Sequence, residues 1–390
     1  MLTGILLFVL GIFLMILAHE AGHFVTARAF GIKVEEFFIG FGPRLWSFRR
    51  GETEYGLKAL PVGGYVKIAG MNPFQEPPPE DRARVFTAKP KWQRAVVLVA
   101  GSATHFVLAF LLLATFFWFV GVPQVGARPQ VTGVVRTLDG EVSPASRAGL
   151  RANDVFVEVD GRRVDSYEAF LAYIDDHVGE EISLTVQRGD REVSVTATPV
   201  LDRVRVDGEV ETIGRLGITV APEYLGADRS GPLEGAVNAL VGEPVGTARL
   251  PGIGGMVTES FATMGRVFGP EGLGQIGEAL VGGRERTVND PVGVVGAARA
   301  AGQAFAAGQF GSYLYLFAFF NVFVGILNIL PLPPLDGGHL AVLGFEGITG
   351  RRVDQRKLIP ITALVAGFLI LFTFSLLYLD VARPIPNPFQ

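Results

Sequence analysis

The first eighteen residues, Met1 to Ala18, carry no charged side chain and run directly into His19-Glu20-Ala21-Gly22-His23. Such a run reads as the body of a transmembrane helix, which needs about 20 residues to cross a bilayer core of about 30 Å. On a continuing helix His19 and His23 are four apart and share one face, so two imidazoles can hold one zinc ion. Glu20 stands beside them and can take a proton from a water that the ion activates. Ionisable groups inside a membrane helix are costly, and those that persist usually face a polar cavity and function there. The plainer alternative is a pair of helix-end histidines reaching for the headgroups.

The remaining composition agrees with a membrane protein that carries a sizeable polar insertion: 390 residues, 49 % apolar, mean hydropathy +0.37. The net charge of −4 gives no reason to invoke nucleic acid. There is no cysteine, which excludes disulfides, thiolate metal sites and a cysteine nucleophile. Zinc must then be held by His, Asp, Glu or water.

Four transmembrane helices are expected, over 1–30, 93–122, 311–337 and 358–380. The first lacks the basic start and small-residue cleavage site of a signal peptide, and cleavage would discard the histidines. The connection 31–92 carries ten Lys or Arg up to Lys91, and 338–357 adds Arg351, Arg352, Arg356 and Lys357. By the positive-inside rule both connections are cytoplasmic. Residues 123–310 and the tail 381–390 then lie outside. Within 31–92, Tyr55 to Ala69 alternates partly and contains Gly63-Gly64, as expected of a hairpin that dips into the membrane with its edge open to another strand.

The outer stretch divides. Over 123–200, strand-like alternation surrounds an Asp160-Gly161 turn and a helix from Ser166 to His177. Ser143-Pro144-Ala145, Ala148-Gly149-Leu150-Arg151-Ala152-Asn153-Asp154 and Val159-Asp160-Gly161 resemble the PDZ domain of bacterial membrane and periplasmic proteases. Asn153 stands where that pattern usually has Gly, and Asn also tolerates a left-handed turn. The alternative is a small β-rich domain with no peptide ligand. Over 201–310, Ile253, Met256, Val257, Phe261, Met264, Val267 and Phe268 fall near helical spacing, as expected of an amphipathic helix lying on the membrane or packed against the core.

Asn328-Ile329-Leu330-Pro331-Leu332-Pro333-Pro334-Leu335-Asp336-Gly337 follows the third apolar run at its inner end. His19 lies about 25 Å along its own helix at a rise of about 1.5 Å per residue, so the two motifs reach similar depth near the cytoplasmic face. A third ligand from another helix is what a catalytic zinc site needs, and Asp336 can supply it. The prolines would unwind the chain there, which is tolerated at membrane depth where backbone lines a cavity. Otherwise Asp336 merely caps a turn.

Taken together, His19-Glu20-x-x-His23, the PDZ-like insertion and Asn328-x-x-Pro331-x-Pro333-x-Leu335-Asp336-Gly337 resemble the site-2 protease family of intramembrane zinc metalloproteases. The similarity is greatest to bacterial four-span members of the regulator-of-sigma-E protease type. Phe38-Ile39-Gly40-Phe41-Gly42-Pro43, Tyr55 to Lys67 and Lys89-Pro90-Lys91-Trp92-Gln93-Arg94 add to the resemblance, which covers the chain except roughly 201–290. It implies an α-helical polytopic membrane protein with a zinc site between the first and third helices and an inserted extracytoplasmic α+β PDZ-like domain. It implies His19, His23 and Asp336 as zinc ligands and Glu20 as catalytic base. It implies a single-pass membrane substrate of the anti-sigma factor type, already trimmed by an upstream site-1 protease. Asn328 is then a candidate clamp for substrate backbone, or a helix-packing residue.

One departure stands out. Gly101-Ser102-Ala103-Thr104-His105 replaces the Gly-Pro-x-x-Asn of many relatives. His105 is left with three readings: a donor to substrate or oxyanion, an additional metal ligand, or a polar contact between helices. Two other functions compete, a catalytically dead scaffold and a metal-ion transporter. The first needs a missing ligand or base and none is missing; the second needs ligands spread through several spans, whereas these cluster at one depth.

Overall fold

The computed structural model describes residues 2–71, 78–138, 140–206, 209–245, 248–284, 286–287, 290–306, 308–351 and 353–385. Arg352 and the end of the expected outer tail, 386–390, lie outside the described residues. The chain divides into two compact units. One comprises 1–121, 229–244 and 249–390, and the other 122–228 with 245–248.

The first unit contains, among the described residues, four helices long and apolar enough to cross a membrane: Leu2–Ala29, Lys91–Val120, Phe310–Ile329 and Arg356–Ala382. They are called here the first to fourth long helices. Small residues set how closely they approach, as expected where lipid tails are as apolar as leucine and helix association rests on van der Waals fit. A Cβ on Gly22 would lie 2.6 Å from the Ala100 carbonyl oxygen of the second helix. One on Gly11 would meet the Phe317 ring of the third helix at 2.6 Å, and one on Gly325 would meet His105 Cβ at 3.0 Å. The third helix thus packs on both the first and the second. The fourth exposes Leu364, Ile370, Leu371 and Phe374, an apolar surface that suits lipid.

Between the first and second long helices the chain forms an antiparallel hairpin, Val34–Arg50 with Thr53–Ile68. Its base is fixed by a cluster of Ala27, Ile32, Val34, Ile68, Phe86, Val97, Leu98 and Leu343. Thr53 Oγ1 donates to the Val34 carbonyl at 2.8 Å, and Lys33 pairs with Asp81 at 2.5 Å. The hairpin's outer part exposes Phe41, Leu45, Trp46 and Phe48, so it carries an apolar surface of its own.

The break expected at the prolines is present, whereas the loop expected over 338–357 is corrected. The third long helix stops at Ile329, and a separate 14-residue helix, Asp336–Thr349, fills what was expected to be a loop. Pro331, Pro333 and Pro334 cannot donate to a helical ladder, which forces the break. Gly337 and Gly338 then let the chain fold back on itself. A Cβ on Gly337 would lie 2.0 Å from the Ile329 carbonyl oxygen, and one on Gly338 2.4 Å from Pro333 N. Asp336 therefore opens a new helix instead of ending the old one.

The amphipathic segment is a helix over Ile253–Phe268 that buries Met256 and Met264. Its Phe268 ring lies 4.9 Å from that of Phe372 in the fourth long helix. One face is thus committed to packing, while Phe261 is exposed. Helix Pro270–Val281 packs Ile276 and Ala279 on Leu376 and Leu379. Nearby, Arg286 and Asp380 form a buried ion pair at 3.3 Å, with Gly296 N–H donating to Asp380 at 2.7 Å.

The second unit is an α+β domain. Its antiparallel sheet runs in the order Ile218–Asp228, Val122–Val134, Val155–Val159, Ile182–Arg188, Arg191–Ala197, with Arg162–Arg163 beside Val155–Val159. Val131, Phe156, Phe170, Ile174, Ile182, Leu184 and Val186 form its core under the helix Tyr167–Asp176. That helix is capped by Ser166 and ends at His177, on the expected bounds. Asn153 adopts φ 73° and Asp160 φ 47°, both left-handed turn positions. Hydrogen bonds from the Ser183 amide and the Tyr173 hydroxyl hold the Asp160 carboxyl below the usual carboxylate range. The unit runs on past 200 because the strand Ile218–Asp228 returns to pair with Val122–Val134. Nothing local in 201–230 announces a partner so far back in the chain.

Candidate metal centre

Four segments of the first unit supply the site. The first long helix brings His19, Glu20 and His23 on consecutive turns. The second brings Gly101 and His105, the helix beginning at Asp336 brings its own first carboxylate, and the hairpin brings Gly64 and Val66.

His19 Nε2, His23 Nε2 and Asp336 Oδ2 converge. The two nitrogens are 3.3 Å apart, and Asp336 Oδ2 lies 3.4 Å from His19 Nε2 and 3.2 Å from His23 Nε2. His23 Nδ1 faces the Val97 carbonyl oxygen at 2.8 Å. A carbonyl can only accept, so Nδ1 carries the proton and the Nε2 of a neutral ring offers a lone pair. Asp336 Oδ2 is buried and receives no hydrogen bond. A carboxylate oxygen and an imidazole lone pair facing each other without a proton repel, and an orphaned buried carboxylate oxygen is costly. A cation answers both. For a tetrahedral zinc ion with bonds of about 2.0–2.2 Å, neighbouring ligand atoms stand about 3.3–3.6 Å apart. The observed triangle has that size, so these residues fit zinc.

Glu20 is half-buried beside the triad. Its carboxylate accepts a backbone hydrogen bond from Val66 and lies in the field of His23 and Asp336. Gly64 makes room for it: a Cβ there would meet Glu20 Cγ at 3.2 Å and Ile16 Cγ2 at 3.3 Å. The hairpin therefore lies directly against the base candidate.

Asn328 and His105, the remaining sequence candidates, fall differently. Asn328 is half-buried in the third long helix and has no side-chain hydrogen bond among the described residues. His105 is almost fully buried, with its Nε2 at 3.1 Å from His19 Nδ1, on the ring edge away from the triad. His339 lines a separate cavity of about 360 Å³ with Arg94, Leu98, Pro333, Pro334 and Gly338, which none of His19, Glu20, His23 and Asp336 lines. Sequence reasoning missed Asn321, which is fully buried and faces His105 Nδ1 at 3.5 Å. An Asn in the middle of an uncharged helix was the available signal.

A model of peptidase family M50 matches residues 7–373. The chain belongs to peptidase family M50. It is 31 % identical over 415 residues to zinc metalloprotease Rip1 of Mycobacterium tuberculosis (strain ATCC 25618 / H37Rv), covering 98 % of each chain. To zinc metalloprotease Rip1 of Mycolicibacterium smegmatis it is 33 % identical over 402 residues, covering 94 % of this chain and 95 % of that one. Among solved structures, the PDZ domain of an SdrC-like protein from Listeria monocytogenes matches 25 % of this chain and 90 % of its own, at 24 % identity and a TM-score of 0.19. This M50 peptidase is a zinc metalloendopeptidase with several membrane helices, and zinc is its cofactor.

Gly101 decides how near the second helix comes to the centre. A Cβ there would lie 2.2 Å from His23 Nε2 and 2.7 Å from His19 Cε1. Gly101→Ala is expected to displace both imidazoles and to lower peptidase turnover by about 10²-fold, the scale of a displacement of about 1 Å at a reacting centre. Zinc content and turnover, with helix content followed by circular dichroism, check this. A folded variant with normal zinc and activity would refute the crowding argument.

Proposed function

We propose that this M50 peptidase hydrolyses a peptide bond within or near the transmembrane segment of a single-span protein already trimmed by another protease. An anti-sigma factor in regulated intramembrane proteolysis fits that description. The observation that carries the reading is the triangle of His19 Nε2, His23 Nε2 and Asp336 Oδ2, at 3.2–3.4 Å, with both histidines on a helix long and apolar enough to cross a bilayer. In this reading His19, His23 and Asp336 hold the ion near the cytoplasmic side, where the basic connections place the inner ends of the helices.

Bound zinc supplies Lewis acidity, which polarises the scissile carbonyl and eases ionisation of a water. Glu20 takes the proton of that water and returns it to the leaving amine. His23 is held in its working tautomer by the Val97 carbonyl. The substrate helix must unwind, because its own hydrogen bonds shield its peptide groups, and the hairpin beside Glu20 offers a strand for the unwound segment to pair with. Asn328 has an amide free to engage substrate backbone groups.

The second unit, placed outside by the same charge argument, acts in this reading as a PDZ-like filter on substrates. The test uses the purified enzyme in vesicles with a single-span substrate carrying either a full or a pre-shortened outer domain. The shortened substrate should be cut inside its apolar segment, as read by mass spectrometry. Cleavage should fall to background with a zinc chelator and return on adding Zn²⁺. Cutting confined to soluble loops, or unaffected by the chelator, would defeat the proposal.

A further inference from the structure

His19 differs from His23 in what holds it. Where His23 Nδ1 meets a carbonyl, which accepts in any state, His19 Nδ1 meets another imidazole, His105 Nε2, at 3.1 Å. An imidazole nitrogen either donates or accepts, so this contact alone leaves the tautomer of His19 open. What lies beyond it closes the question. His105 Nδ1 faces Asn321 Oδ1 at 3.5 Å, and Asn321 Nδ2 donates to the Phe317 carbonyl oxygen at 2.8 Å. The Phe317 carbonyl turns the NH₂ end of the Asn321 amide toward itself and the Oδ1 end toward His105. Oδ1 can only accept, so His105 carries its proton on Nδ1. The Nε2 of a neutral His105 is then an acceptor, His19 must donate from Nδ1, and its Nε2 is left as a lone pair toward Asp336 and His23.

We propose that His105 and Asn321 are positioning residues that lock His19 in the tautomer able to bind zinc through Nε2. The inference rests on the reading of His19 as a zinc ligand. The chain of bonds starts at a backbone carbonyl, which cannot reverse its role, so its direction is fixed along its whole length. The two residues proposed lie in the packed interior of the second and third long helices: His105 is 1 % exposed and Asn321 0 %. Bulk water therefore does not substitute for a missing partner. The same arrangement argues against His105 as an additional ligand, because it sits on the opposite ring edge of His19 from the triad. The rival holder is the Gly101 carbonyl, which also makes a backbone hydrogen bond with His19.

The test compares zinc affinity, by competition with a chromophoric chelator, for the full chain and for His105→Leu, His105→Gln, Asn321→Leu and His19→Ala. Removing an outer partner of a ligating His usually costs about 10–100-fold in metal affinity, and His105→Leu should fall in that range. Gln can accept from His19 and donate to Asn321, so His105→Gln should recover to within about threefold of wild type. Asn321→Leu, which removes the longest link, should weaken binding less than His105→Leu. The visible spectrum of the Co²⁺-substituted protein should keep its band positions in His105→Leu, because the ligands stay the same.

Unchanged zinc affinity in His105→Leu would overturn the proposal in favour of the Gly101 carbonyl, and a shifted Co²⁺ spectrum would overturn it by making His105 a ligand. If His105→Leu does not fold, wild-type protein labelled with ¹⁵N-histidine decides, since the chain has only five His to assign. His105 should show a protonated Nδ1 and a bare Nε2, and the reverse pattern sinks the idea. Retention of full zinc by His19→Ala would instead defeat the ligand reading beneath it.

Discussion

Replacing Glu20 by Gln is expected to leave zinc bound and to lower kcat by about 10²–10⁴-fold, the usual contribution of a positioned general base. Gln has nearly the size of Glu and still accepts the Val66 backbone hydrogen bond that Glu20 receives. It also respects the tight approach of Gly64 to the Glu20 side chain, at 3.2 Å for a built Cβ. Packing and ligands therefore stay as they are, and only the proton acceptor is lost. Zinc stoichiometry by atomic absorption and turnover of a single-span substrate separate the effects. Turnover within tenfold of wild type would mean that another group takes the proton.

Asp336→Ala should remove zinc as well as activity. Two imidazoles on one helix hold zinc weakly without a third donor, so the loss in affinity should exceed the factor of about 100 that marks the upper range for outer partners. The carboxylate also sits at the first turn of its helix, where a negative charge is favourable. Some loss of local stability is therefore expected, and Asp336→Asn controls for it by keeping size and polarity while removing the charge. An Asp336→Ala protein with undiminished zinc affinity would transfer the third ligand elsewhere.

The four apolar runs, the shared helix face of His19 and His23, and the extra strand-rich domain were all legible in the sequence. Each follows from local periodicity and length, which a chain carries along itself. The turn at Asp160 and the left-handed Asn153 were legible for the same reason. The limits of the second unit were not. Its return strand Ile218–Asp228 pairs with Val122–Val134, and long-range pairing leaves no mark in either segment alone.

The metal centre shows where local information ends. The spacing of His19 and His23 fixed two ligand candidates, and the prolines before Asp336 announced a break in the third helix. Which atoms face one another depended on how the helices pack, and that rests on close contacts at Gly22, Gly101 and Gly325. A glycine in a sequence does not say which backbone or side chain it admits. For the same reason His105 read equally as donor, ligand or helix contact until its two ring nitrogens were seen against His19 and Asn321. Periodicity determined the faces of the helices, and only tertiary packing decided which faces meet, because apolar surfaces in lipid choose partners by shape and not by pattern.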